Sequence, residues 1–298
     1  MSNRISRGKV LALPRAKSAV VNTAALSEEE RERRAQELVL NTRGKAVSVA
    51  CGMASKALEY SPNCVDAYLI LAEAQSDFAK RASAYREAIQ AGEVSLGKDW
   101  EKKYKGTGWG ATETRSVMRA MFGLAAALRW DDKLKESLAL YRKLMELNPH
   151  DNQGVRYALA STLLEAGLGD ELEALLEQYK DDKGVVLLYT KALHLYNKSG
   201  AKKKSNEALI EAFNANQYIP ILMSEAAYLE DCVDKIDDRK LRDAESYNAS
   251  YGYLWGDLVE SSRAWMAEAL KDSLLAFIRE EKFALAVVNG LRVELEED

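Results

Sequence analysis

Apolar and small residues recur at spacings of three and four along most of this chain, the period that lines up side chains on one face of an α-helix. Ala50, Ala54 and Ala57 precede Pro62; Ser137, Tyr141 and Leu144 precede Pro149; Ala208, Ala212 and Ala215 precede Pro220. In each set the proline follows the first member by twelve residues. Small or flat side chains on one face let a second helix come close. Proline, which lacks an N–H and restricts the residue before it, then ends the helix. A further copy, Ala84, Ala88 and Ala91, keeps the spacing and is predicted to stop at Gly92, where glycine can adopt the left-handed conformation of a helix end. Partner helices are predicted at Glu30 to Thr42, Val65 to Phe78, Thr114 to Trp130, Gly154 to Ala166 and Val185 to Lys198. Leu168, Leu172, Leu175, Leu176 and Tyr179 give one more apolar face between Gly167 and Tyr179.

Pro149 lies 87 residues beyond Pro62, and Pro220 lies 71 beyond Pro149. Each interval holds two units of the roughly 34-residue tetratricopeptide period, the first with an insertion. A lone hairpin of this kind cannot bury its apolar face, so neighbours must stack. The expected fold is therefore all-α, a right-handed superhelical tetratricopeptide-like solenoid of about five helical hairpins with a helical C-terminal cap. On this reading residues 1–27 are a basic N-terminal segment, 28–220 carry the repeats and 221–298 form the cap. Helices in the cap are expected at Leu222 to Ile236, Leu241 to Trp255, Leu258 to Ile278 and Phe283 to Leu291. The insertion, residues 93–111, sets Trp100, Tyr104 and Trp109 among Gly97, Gly106, Gly108 and Gly110. It reads either as a partner-contacting loop or as a segment packed over the edge of the stack.

Composition narrows the function. Glycine and proline, 17 and 4 in 298 residues, are too sparse to punctuate a β-rich fold. Basic and acidic side chains, 42 against 46, interleave and leave a net charge of −4, so no broad cationic face is offered to nucleic acid. Cys51, Cys64 and Cys232 fit neither a disulfide framework nor a zinc spacing, and read as reduced thiols of a cytoplasmic protein. No apolar run approaches the roughly 20 residues that cross a bilayer. Arg4, Arg7, Lys9, Arg15 and Lys17, with no acidic residue before Glu28, read as a frayed basic terminus, with a targeting segment as the alternative.

The run Ala57 to Tyr68, followed by Leu71-Ala72-Glu73 and by Tyr85 to Gly92, resembles the suppressor-of-tumorigenicity-7 family of tetratricopeptide-like proteins. Leu144 to Asp151 with Leu163 to Ala166, Ala208 to Pro220 with its Asn216, and the pair Tyr247 and Trp255 agree with that family's later segments. The resemblance covers roughly Ala46 to Trp255 and is most specific around Asn63 and Cys64. It implies the fold and carries with it no enzymatic activity or catalytic set. Eukaryotic members carry membrane-spanning segments that have no counterpart in this chain.

Motifs for catalysis are missing from the sequence: no phosphate-cradling glycine loop, no metal-ligand cluster and no nucleophile with a matched base. His150 follows Pro149, and His194 sits among Leu193, Leu195 and Tyr196, so both read as structural or groove-lining. Lys202, Lys203 and Lys204 make a basic turn, and the acidic strings Glu28 to Glu30 and Asp231 to Asp238 read as a helix start and a solvated face. No cofactor or metal is expected. The first helices of such a stack line its concave face, placing Asp66, Glu73 and Asp77, then Arg119, Phe122, Arg129 and Trp130, then Thr190, His194 and Asn197 along a chemically mixed groove. Trp100 and Trp109 of the insertion are added as candidate anchors. A Lys/Asn clamp for a terminal carboxylate is missing: Ala35 and Val39, then Leu69, Ile70 and Glu73, then Phe122 and Gly123 stand where it would be. The expectation is a non-catalytic adaptor for a protein or peptide. Its rival is a structural subunit that stabilises an enzyme complex or assembles with itself through the aromatic region Tyr247 to Trp265.

Overall fold

The computed structural model describes residues 26–223, 238–256 and 261–280. Among these, fifteen α-helices and two 3-10 turns form, and there is no strand. In chain order the helices are α1 (Glu28–Leu40), α2 (Val47–Tyr60), α3 (Val65–Glu73), α4 (Phe78–Leu96), α5 (Trp100–Lys103), α6 (Arg115–Trp130), α7 (Leu134–Leu147) and α8 (Val155–Glu165). They continue with α9 (Gly169–Gln178), α10 (Val185–Ser199), α11 (Lys203–Ala215), α12 (Tyr218–Met223), α13 (Asp238–Tyr251), α14 (Ser262–Ala269) and α15 (Lys271–Glu280). The basic segment Arg4 to Lys17, Cys232, most of the acidic string 231–238, most of the helix predicted from Leu222 and all of the one from Phe283 lie outside the described residues. Two compact units divide the chain, Met1–Leu159 and Ala160–Asp298.

In the first unit α1 starts where Ser27 accepts the Glu30 N–H at 3.2 Å, with Glu28, Glu29 and Glu30 offsetting the helix dipole in the first turn. The hairpin α1–α2 closes around Ala35, Ala54 and Ala57, and Cys64 and Ala67 at the start of α3 complete that cluster. Each second helix then serves the next hairpin: α2 packs on α3, and α4 on α6. The first helices also touch in order, α1 with α3 and α3 with α6. The hairpins of this unit therefore lie side by side in sequence order, the arrangement the repeat predicts.

Where the helix ends differ from expectation, local chemistry explains why. The helix predicted from Val65 to Phe78 stops at Glu73, because Asp77 accepts the Lys80 N–H at 2.8 Å and starts α4 instead. Gly92 does not end its helix; α4 runs on to Leu96 and turns at Gly97, whose φ of 88° suits glycine. Gly92 is buried against α6, and a Cβ there would overlap the Val117 side chain. The facing Gly123 of α6 makes the same allowance for the Tyr85 ring. Glycine is required at both places for close packing.

The insertion folds back on its own unit. Gly108 donates its N–H to the Leu147 carbonyl at 2.9 Å, Thr114 donates its hydroxyl to the carbonyls of Gly108 and Ala111, and Lys143 pairs with Glu101 at 2.6 Å. Trp100, expected as an exposed anchor, is only 2% exposed. A ring that large gains more from burial than a short loop gains from leaving it in water.

In the second unit α10 pairs with α11, and α9 and α13 flank α10. Tyr189, Tyr247 and Trp255 are buried together, Trp255 donating its indole N–H to the Tyr247 hydroxyl at 3.0 Å. Trp265 stacks on Tyr196, with ring centroids 4.2 Å apart, and donates its indole N–H to Asn206 Oδ1 at 2.8 Å. Tyr247, Trp255 and Trp265 of the region expected to serve self-assembly are thus buried within their own unit, while Tyr251 and Tyr253 are half-buried. The helix predicted from Leu258 to Ile278 is two, α14 and α15, broken at Leu270. Pro62 and Pro149 stand in turns, but Pro220 sits inside α12. Asn216 does the stopping there: it ends α11 and accepts the Tyr218 N–H at 3.0 Å, and Pro220 in the first turn of α12 has no N–H left to satisfy.

The α4–α6 seam makes a paired test. Gly92→Val is expected to cost about 1–3 kcal/mol through overpacking. Gly52→Ala, in α2 with open space around it, is expected to gain about 0.5–1 kcal/mol. Urea denaturation of the two variants checks both signs.

Candidate functional site

On the first unit's surface, Asp66 in the first turn of α3 faces two donors on α6. Ser116 donates its hydroxyl to Asp66 Oδ1 at 2.9 Å, and Arg119 donates through Nη2 to the same oxygen at 2.7 Å and to Ser116 Oγ at 3.0 Å. The carboxylate side chain is 22% exposed and the arginine 52%. A guanidinium has five N–H donors in a rigid fork, so Arg119 keeps capacity for a second acceptor from solvent or a partner.

The spacing 119, 122, 126, 130 carries this surface along α6. Phe122, half-buried, meets the edge of Tyr141 at 5.6 Å. Trp130, 43% exposed, stacks on Phe78 at 5.9 Å, and the Arg81 guanidinium lies 5.3 Å from the Phe78 ring. The sequence placed Asp66, Arg119, Phe122 and Trp130 together and missed Ser116 and Phe78. The three-residue spacing of Ser116 from Arg119 was a readable signal. By period Phe78 closes the helix that starts at Val65, whereas in the structure it opens α4.

Other candidates fall elsewhere. Glu73 ends α3 in solvent, and Asp77 is the cap of α4 rather than a first-helix residue. Arg129 is 6% exposed, with its guanidinium 6.0 Å from the Trp130 ring. Trp109 is half-buried; its carbonyl accepts from Arg115 Nε at 2.9 Å, and the Arg115 guanidinium lies 5.8 Å from its ring.

The second unit gathers a different set. His194 on α10, 7% exposed, has Nε2 at 2.8 Å from Glu173 Oε1 of α9, and Lys198 donates to that same oxygen at 2.6 Å. Lys198, and after it His194, hold the Glu173 carboxyl down at about 2. An ionised carboxylate only accepts, so the proton of this bond sits on His194 Nε2. Asn197 is exposed beside them, and Thr190, a turn earlier on α10, is buried. Glu173 and Lys198 were not singled out from sequence because an exposed acid and base on separate helices carry no local pattern. His150, in the first unit, is exposed. Among the described residues no group of three His, Cys, Asp or Glu side chains is placed to hold a metal.

No family model matches the chain, and no curated protein matches it. Among solved structures the chain is similar to YrrB, described as a TPR protein with an unusual peptide-binding site. The TM-score is 0.41 at 17% identity, over 74% of this chain and 92% of that one.

Because the folded chain depresses the Glu173 carboxyl from its ordinary 4.5 to about 2, the unfolded chain takes the proton first as pH falls. The stabilisation is complete above about pH 4.5 and lost toward pH 2. Glu173→Gln is expected to lower Tm at pH 6 and to match the parent near pH 2, as read by melts across that range.

Proposed function

We propose that this chain is a non-catalytic adaptor that holds a protein or peptide segment on the first-helix surface of α3 and α6. The observation that carries the reading is the Asp66–Ser116–Arg119 bridge between neighbouring first helices, with Arg119 half in solvent and Phe122 a turn away. An anchored arginine beside an accessible aromatic ring is the pairing that dominates interface energetics. Anchoring also reduces the side-chain entropy lost on binding. Cys51 and Cys64 are buried free thiols, which suits a reducing, cytoplasmic setting. Kinship with the suppressor-of-tumorigenicity-7 family, on the residues from Asn63 to Tyr68, belongs to the same proposal.

The test begins with peptides selected from a display library on the intact chain. Arg119→Ala with Phe122→Ala is expected to weaken the selected peptides by tenfold or more, about 1.4 kcal/mol, while the circular-dichroism melt keeps its cooperative transition. Peptides that bind the double variant unchanged would remove this surface from consideration.

A further inference from the structure

In the second unit a cavity of about 490 Å³ opens where α8 turns into α9, bounded by Leu168, Gly169, Asp170, Glu173, His194 and Lys198. That volume falls within the roughly 300–1,000 Å³ of small-ligand sites. Its shape follows from the turn. Gly167, at φ 68°, reverses the chain while Leu168 donates its N–H to the Leu163 carbonyl at 2.9 Å. Gly169 is thereby brought against the His194 ring, where a Cβ would stand 3.1 Å from Cε1, so a side chain at this position would occupy the space.

The lining selects by charge. Asp170 and Glu173 share this lining with a single ammonium, Lys198. Asp170 and Glu171 in the first turn of α9 answer the positive end of its dipole, so an anion is disfavoured. Glu173 is different. Both His194 and Lys198 bond its Oε1, neither uses Oε2, and the side chain is 44% exposed. His194, more than nine-tenths buried, fixes this carboxylate from behind and has no hydrogen-bond partner at Nδ1 among the described residues. Lys198, 59% exposed, is a flexible partner that a better-matched donor can displace at little cost. At the rim Leu168, 40% exposed, offers apolar surface to an alkyl stem.

We propose that this cavity receives an arginine side chain of a peptide ligand, its guanidinium on Glu173 and its stem along Leu168. This deepens the adaptor reading and rests on it for the claim that the ligand is a peptide. Arginine suits the site because its planar guanidinium presents several N–H donors in a fixed fork to the free oxygen of a held carboxylate, whereas an ammonium is a strongly hydrated point charge.

The chain contains two histidines, so the imidazole Cε1–H region of a proton NMR spectrum holds two signals, assigned by the loss of one in His194→Asn. N-acetyl-arginine methylamide, titrated into the intact chain, is expected to move the His194 signal saturably and leave His150 in place. N-acetyl-norleucine and N-acetyl-glutamate methylamides are expected not to saturate. Glu173→Gln is expected to weaken the arginine probe at least tenfold. Gly169→Val, which leaves every charge in place and sets a branched side chain in the cavity wall against the His194 ring, is expected to weaken it likewise, so a folding defect in one variant leaves the other to decide. An equal response to the glutamate probe, or no saturation by the arginine probe up to about 10 mM, overturns the pocket. If peptides selected on the chain stay sensitive to Arg119 and Phe122 while the arginine probe fails, only the pocket is lost. If the selected peptides ignore Arg119 and Phe122, the α3–α6 reading fails on its own evidence.

Discussion

Where α4 crosses α6, Gly92 lies under Val117 and Gly123 under the ring of Tyr85, and the first unit depends on that approach. Bringing two backbones this close buries Tyr85, Ala88 and Ala91 from one helix and Val117, Ala120, Leu124 and Ala127 from the other. A hairpin with so many alanines has modest apolar area of its own. Its stability comes from a neighbour lying near enough for dispersion contacts to form along the whole seam, and small residues set that distance. The side-by-side order α1, α3, α6 follows from the same requirement, since each hairpin's open face is covered by the next.

The same constraint decides what could be read from the sequence. Ala54, Ala57, Ala88, Ala91, Ala208 and Ala212 were all recognised as seam residues, and the structure buries them. Helix existence and order were legible for this reason. The errors share one cause, which is that glycine, proline and aspartate each have two uses. By spacing alone Gly92 reads as a terminator, yet it is a packing residue, and Pro220 reads as a terminator, yet it is a tolerated first-turn residue. Asp77 reads as a groove side chain, yet it is a cap. Which use applies depends on what lies across the seam, information a single helix does not hold. Trp100 makes the same point for side chains, because the Gly108 to Leu147 hydrogen bond that folds the insertion inward joins residues with no sequence pattern in common.

The two polar clusters repeat one design on different scaffolds. An acid on one helix accepts from two residues on a neighbouring helix: Ser116 and Arg119 for Asp66, His194 and Lys198 for Glu173. Half of this pattern is local. Spacings of three and four on α6 and α10 put each donor pair on one face, so Arg119 and His194 were visible as candidates. The acid comes from another helix, and for Glu173 only the folded chain reveals it.

Surface ion pairs of this exposure contribute little to stability, commonly below about 1 kcal/mol each, so stability is a weak reason for either cluster. What both clusters do is remove rotamer freedom from charged side chains that still reach water. Arg119 is held by Nη2 and free at the rest of its fork; Glu173 is held by Oε1 and free at Oε2. A side chain ordered in advance loses less entropy when a ligand arrives, and that saving appears as affinity even where it adds nothing to the melting temperature. The carboxylate of Asp66 is spent on Ser116 and Arg119 through both oxygens, whereas Glu173 leaves one unengaged, so the two surfaces present opposite charge to a ligand. The α3–α6 surface offers a donor beside an aromatic ring, and the α9–α10 cavity offers an acceptor beside Leu168.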